Sequence, residues 1–160
     1  MKLILEPTSY SWEFVPVAGE TFTDTGTANC VTPAAGDIVP PTLVNNTGSS
    51  LLEGGTDPIP NTELQYSDEQ PASSINFSVT SGPANGQLEL TSNPNNPISS
   101  FTQADIDSGL LVYIHDDSNT TSDQFGFNVD DSQGNVVTGQ SFNFSITPVD
   151  DDAPTLVNNT

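Results

Sequence analysis

FTQADIDSGLLVYIHDDSNTTSDQFGFNVDDSQGN, residues 101–135, is the stretch whose reading decides the fold. Apolar and polar residues alternate through QFGFNVD (124–130), so Phe125, Phe127 and Val129 fall on one face. A period of two is the signature of a half-buried strand. LLVYIH (110–115) alternates in part, and DSQGN that follows the second run is turn chemistry. Thr102 stands three residues before Asp105, a capping-box spacing that predicts one short helical turn. No long amphipathic helix is visible anywhere in the chain.

The same alternation extends outward. ELQYS (63–67), INFSVTS (75–81), QLELT (87–91) and SFNFSITPV (141–149) read as strands, with GGTDPIPN, SGPANG and SNPNNP as turns between strand candidates. Ile75, Phe77 and Val79 form a second apolar face, and Phe142, Phe144 and Ile146 a third. Three such faces close a core between two sheets, which predicts an all-β fold, an antiparallel β-sandwich. Residues 10–24, YSWEFVPVAGETFTD, read as one or two short leader strands, and residues 25–37, TGTANCVTPAAGD, as a linker.

PTLVNNT occurs twice, at Pro41–Thr47 and Pro154–Thr160, 113 residues apart. Seven identical residues at one-domain spacing point to a tandem array. The expected organisation is a leader over residues 1–37, the tail of a preceding β domain plus linker; a repeat over 38–152; and the first strand of a following repeat over 153–160. The opening MKLIL is too short for a signal-peptide core. The expectation is therefore a piece of a larger exported protein.

The chain has 160 residues, 21 acidic side chains and a single base, Lys2, for a formal net charge of −20. That balance excludes phosphate-backbone recognition of nucleic acid and docking on an anionic membrane face. No stretch is long enough to span a membrane. One cysteine, Cys30, rules out an internal disulfide, so rigidity must come from elsewhere.

Within the repeat the acids gather at strand ends and in linkers. Two bare carboxylates about 5 Å apart repel by roughly 0.8 kcal/mol even at the dielectric of water. Several such pairs at one pole of a sandwich, with no nearby cation of the chain, favour a bound ion. Ca2+ suits, since it takes oxygen ligands in flexible geometry. Zn2+ would want His or Cys, and the chain has one of each, far apart in sequence. An EF-hand is excluded, because no Glu follows Asp105 and Asp107 at the required spacing. The His115–Asp116 neighbours suggest a catalytic pair only in isolation, and no nucleophile motif, phosphate loop or aromatic-lined cleft accompanies them. The chain is not expected to be an enzyme.

The segment from Phe101 to Asn135 resembles the signature of the chondroitin sulfate proteoglycan repeat, a cadherin-like module with the pattern FTQxDIxxGxxxYxHDGSxxxxDxFxFxVxDGxG. LLEGG upstream and FSITPVDDDAPTL downstream fit the same module, so the resemblance spans about 115 residues. Asp117 departs from the pattern where Gly is usual, and DDSQGN replaces the commoner Asp-Gly. The resemblance implies a cadherin-like, Ig-like Greek-key sandwich, repeated in tandem in large secreted or surface proteins and serving adhesion. It also implies calcium between successive modules. Carried over residue by residue, Glu53 matches the acid near the first strand, and Asp150, Asp151 and Asp152 match the acidic linker. Asp68, Asp116, Asp130 and Asp131 are the further candidate ligands. His115 belongs to the signature and is expected to close a hydrogen bond across its turn. The implied function is a calcium-rigidified extracellular spacer, its partners being neighbouring repeats and a surface glycan or protein ligand. The alternatives are a carbohydrate-binding accessory module of a secreted enzyme and a passive acidic spacer without ions.

Overall fold

The computed structural model describes residues 1–6, 9–21, 23–29 and 37–150. The chain divides into two compact units, Met1–Asp37 and Ile38–Thr160. The second copy of PTLVNNT lies outside the described residues.

The first unit is a three-stranded antiparallel sheet in the order β1 (Lys2–Leu5), β2 (Ser9–Glu13), β3 (Thr25–Asn29). β3 lies where a linker is expected from the sequence. Gly26 explains the difference, because it sits opposite Trp12 and a Cβ there would be 2.2 Å from the indole. A glycine read as a loop signal is here a strand position that makes room for a ring.

The second unit carries β4 (Thr42–Asn46), β5 (Ser49–Leu52), β6 (Thr56–Pro58), β7 (Leu64–Ser67), β8 (Asn76–Ser81) and β9 (Gly86–Leu90). β10 (Ser100–Thr102), the helix α1 (Gln103–Asp107), β11 (Leu111–His115), β12 (Ser122–Asp130) and β13 (Val136–Thr147) complete it. One layer is the five-stranded sheet β10-β8-β12-β13-β5; the other is built from β6-β11-β9 and β4-β7. Among the described residues, all pairings in this unit are antiparallel except β5 with β13, which run parallel from Ser49–Phe144 to Leu52–Thr147. α1 begins with the expected box: Asp105 N–H donates to Thr102 Oγ1, and Thr102 N–H donates to Asp105 Oδ2.

The three apolar faces meet as alternation requires. Ile75, Phe77, Phe125, Phe127, Val129, Phe142, Phe144 and Ile146 are buried, and Val79 packs against them. Tyr113 of β11 stacks on Phe144 of β13 with centroids 3.9 Å apart, and Tyr66 of β7 meets Phe77 edge-on at 5.7 Å. These rings join the two layers of a β-sandwich. Each buried phenylalanine contributes about 2 kcal/mol through area removed from water. β13 starts five residues earlier than the alternation predicts, at Val136. Gly139, at φ +70°, donates to Asn128 Oδ1 and carries an irregularity within this early part of the strand, between the DSQGN turn and the alternating run.

Candidate functional site

The candidate acids divide between two poles instead of gathering at one. β5 and β13 end together at Leu52 and Thr147, near the start of β12, where Ser122 pairs with Ser145. Glu53, Asp116 and Asp150 leave their strands at this end, the exit pole. Asp130 and Asp131 close the far end of β12, where Asp130 pairs with Val136 and Asn76, and Asp68 follows β7 on the same side. β12 has nine residues, so about 27 Å separates this entry pole from the exit pole.

At the exit pole Glu53 is 7% exposed. Its N–H donates to Thr147 O at 3.0 Å, and its Oε2 accepts from Val149 N at 2.9 Å. Its Oε1 is buried and makes no hydrogen bond. A buried carboxylate oxygen left without a donor is costly, and a cation removes that cost. Beside it, Gly54 and Asp117 both adopt φ +67°, and a Cβ at Gly54 would lie 2.3 Å from Asp117 Oδ1. Asp117 therefore keeps the left-handed turn of the signature without its glycine. His115, buried, accepts at Nδ1 from Gly54 N at 3.1 Å and Asp117 N at 3.2 Å, while Nε2 meets Thr120 Oγ1 at 2.9 Å. With Nδ1 accepting twice, the proton sits on Nε2 and is donated to Thr120.

Asp116 is exposed, and its Oδ1 accepts from Ser118 Oγ at 2.5 Å and Ser118 N at 3.1 Å. The Ser118 hydroxyl, then its backbone N–H, holds this carboxyl below the usual carboxylate range, so it is ionised at neutral pH. Asp150 is exposed next to Val149. Asp151 and Asp152 lie outside the described residues. Among the described residues, the exit pole brings no three carboxylates within 4.8 Å of one another.

At the entry pole, carboxylate oxygens of Asp68 and Asp131 lie within 4.8 Å of each other. Asp68 Oδ1 accepts from Glu69 N at 2.7 Å, and Oδ2 is buried without a hydrogen bond. Asp131, 0% exposed, organises its own turn: Oδ1 accepts from Gln133 N and Asn135 N, and Oδ2 from Asn135 Nδ2 at 2.6 Å. Asp130 Oδ1 accepts from Ser132 N at 3.1 Å and Asn76 Nδ2 at 3.4 Å. Asp130 and Asp131 thus have structural work that strand-end position alone does not reveal.

Sequence reasoning passed over three acids. Asp117 reads from the sequence as a strand-end acid after LLVYIH and as a departure from the pattern, but not as a candidate ligand. Asp57 and Glu63, in segments read as turn and strand start, both have Ser49 as a hydrogen-bond partner. Their shared hydroxyl depends on β5, β6 and β7 meeting, which no local pattern encodes.

The donor chemistry suits a hard divalent ion. The exit pole offers Glu53 Oε1 and the carboxylates of Asp116, Asp117 and Asp150, while both ring nitrogens of His115 are engaged. An all-oxygen set of this kind fits Ca2+ and does not fit Zn2+.

Residues 41–147 match the family model described as Cadherin-like. Extracellular matrix protein 3 of Lytechinus variegatus is 34% identical over 122 residues, covering 75% of this chain and 4% of that protein. The extracellular matrix organizing protein FRAS1 of Homo sapiens is 33% identical over 124 residues, 76% of this chain and 3% of its own length. Chondroitin sulfate proteoglycan 4 of Homo sapiens is 35% identical over 94 residues, covering 59% of this chain and 4% of that protein. The chain spans only a few per cent of the length of the curated relatives it matches.

Proposed function

We propose that this chain, which belongs to the cadherin-like family, is a structural or adhesive repeat of an extracellular or cell-surface protein, stiffened by Ca2+ at its exit pole. The observation that carries the metal reading is the buried, unbonded Oε1 of Glu53, one residue past β5 and hydrogen-bonded through Oε2 to the segment that leads into the acidic linker. Glu53 would anchor the ion, and carboxylates from Asp116, Asp117, Asp150 and the linker acids Asp151 and Asp152 would close around it on binding, since no three of the described ones at this pole already lie within 4.8 Å. An ion bound there ties the end of β5 to the outgoing chain, which limits bending towards the next repeat. The relatives are named as matrix proteins and a proteoglycan, which supports a non-enzymatic, extracellular role with neighbouring repeats as partners.

A glycan-binding accessory module would be expected to present aromatic side chains on one sheet. In residues 38–150 both tyrosines and all six phenylalanines are buried, which supports the spacer reading instead.

Thermal unfolding of the full chain in chelator and then in about 1 mM Ca2+ tests the proposal, with Mg2+ as control. An ion a hundredfold above its Kd adds about 2.7 kcal/mol by mass action, which raises Tm by several degrees. Glu53→Gln keeps an oxygen for Val149 N–H and removes the charge, so it abolishes the calcium-dependent rise while leaving Tm in chelator unchanged or higher. A wild-type Tm equal in Ca2+ and chelator sinks the metal reading and leaves a passive acidic spacer.

A further inference from the structure

The exit pole consists of two short turns from distant parts of the chain, Glu53–Gly54 after β5 and Asp116–Asp117 after β11. Both contain a residue at φ +67°, where an L side chain is strained and the backbone needs outside support. Each turn aims one backbone N–H at the same ring, Gly54 N from the first and Asp117 N from the second. The acceptor is a single atom, His115 Nδ1, which takes Gly54 N–H at 3.1 Å and Asp117 N–H at 3.2 Å. The imidazole is itself fixed: it is 4% exposed, its Nε2 is bonded to Thr120 Oγ1, and its own backbone N–H donates to Gly55 O at 3.0 Å.

We propose that His115 is a positioning residue that clamps the two turns together through Nδ1 and so sets the spacing between Glu53 and the Asp116–Asp117 carboxylates. The assignment of those carboxylates as ion ligands rests on the function proposed above; the clamp itself does not. Because one atom accepts both N–H groups, the turns are coupled: freeing one removes support from the other. Gly54 and Asp117 are themselves exposed, so an N–H that loses Nδ1 is open to solvent exchange, and the loss appears first at these two amides.

The test separates acceptor from bulk by comparing two variants of the full chain. In His115→Asn the side-chain Oδ1 occupies the place of Nδ1. In His115→Gln the longer amide reaches towards Thr120 and leaves the Nδ1 position empty. Amide hydrogen exchange at Gly54 and Asp117 is measured in chelator, and Ca2+ affinity by calorimetry. His115→Asn is expected to keep both amides protected and to bind Ca2+ within about threefold of wild type. His115→Gln is expected to exchange those two amides at least tenfold faster and to bind at least tenfold more weakly, with exchange in the β12–β13 core unchanged. Equal behaviour of the two variants, whether both intact or both impaired, overturns the clamp, as does better protection in His115→Gln. If wild type binds no Ca2+, the metal reading fails, and amide exchange in chelator still decides the clamp.

Discussion

Asp123 accepts hydrogen bonds from four groups: Ala84 N and Gln124 N at Oδ1, and Asn85 N and Tyr113 Oη at Oδ2, all between 2.8 and 2.9 Å. It is 8% exposed. Burial, then the Asp123 carboxylate, pushes the Tyr113 hydroxyl far up, so it stays a donor at any ordinary pH. Asp123→Ala leaves three backbone N–H groups without this acceptor, each costing about 1–3 kcal/mol if it stays dry. The expected loss is about 3 kcal/mol in urea unfolding, with Asp123→Asn losing less; a loss under 1 kcal/mol would show that water replaces the carboxylate. This role was legible in outline. Asp123 is in phase with Phe125, Phe127 and Val129, and so must point inward, which no acid does without a nest of donors. Glu53 was legible as an acid near a strand end, but its unbonded oxygen depends on how Val149 and Thr147 approach it from 96 and 94 residues away.

At the level of elements, β5, β6 and the turn before β7 bring Ser49, Asp57 and Glu63 together. Burial pushes both carboxyls above their ordinary values of 3.8 and 4.5; the Ser49 hydroxyl opposes this, and the Asp57 charge raises Glu63 further. A carboxyl with a raised pKa in the folded state adds stability that is complete below its unfolded pKa. That stability is lost as pH rises through the folded value. Asp57→Asn or Glu63→Gln is therefore expected to raise Tm at pH 7, with the gain vanishing towards about pH 3.5. Asp116, lowered by Ser118, works in the opposite sense, its contribution present at neutral pH and lost on acidification. A Tm profile for Glu63→Gln parallel to wild type across this range would remove the pair as a source of pH dependence. The long strands were legible because alternation needs five or more residues to register. β5, β6 and β10, at three or four residues, are too short to carry a period and owe their existence to partners across the sheet.

Over the whole molecule the formal charge of −20 acts as a uniform stress on the folded state. Raising salt from 0.01 to 0.15 M shortens the screening length from about 30 to about 8 Å. Tm is expected to climb by several degrees over that range, before any ion-specific effect, as differential scanning calorimetry would show; a flat response would mean the acids are already neutralised by bound ions. The layers and most of the core follow from apolar phase in the longer strands, while β10 buries Phe101 without a period of its own. The division of the acids into two poles does not follow from phase, because it depends on which strands run up and which run down. That same directionality bears on the parallel pairing of β5 with β13. Residues leading into β5 start at one pole, and residues leaving β13 depart from the other. Tension between them pulls the two strands past each other along their length. The rungs from Ser49–Phe144 to Leu52–Thr147 are then loaded together in shear rather than peeled one at a time. Under such a load the resistance would sit in β5 and β13, among the described residues the one pair of strands that share a direction.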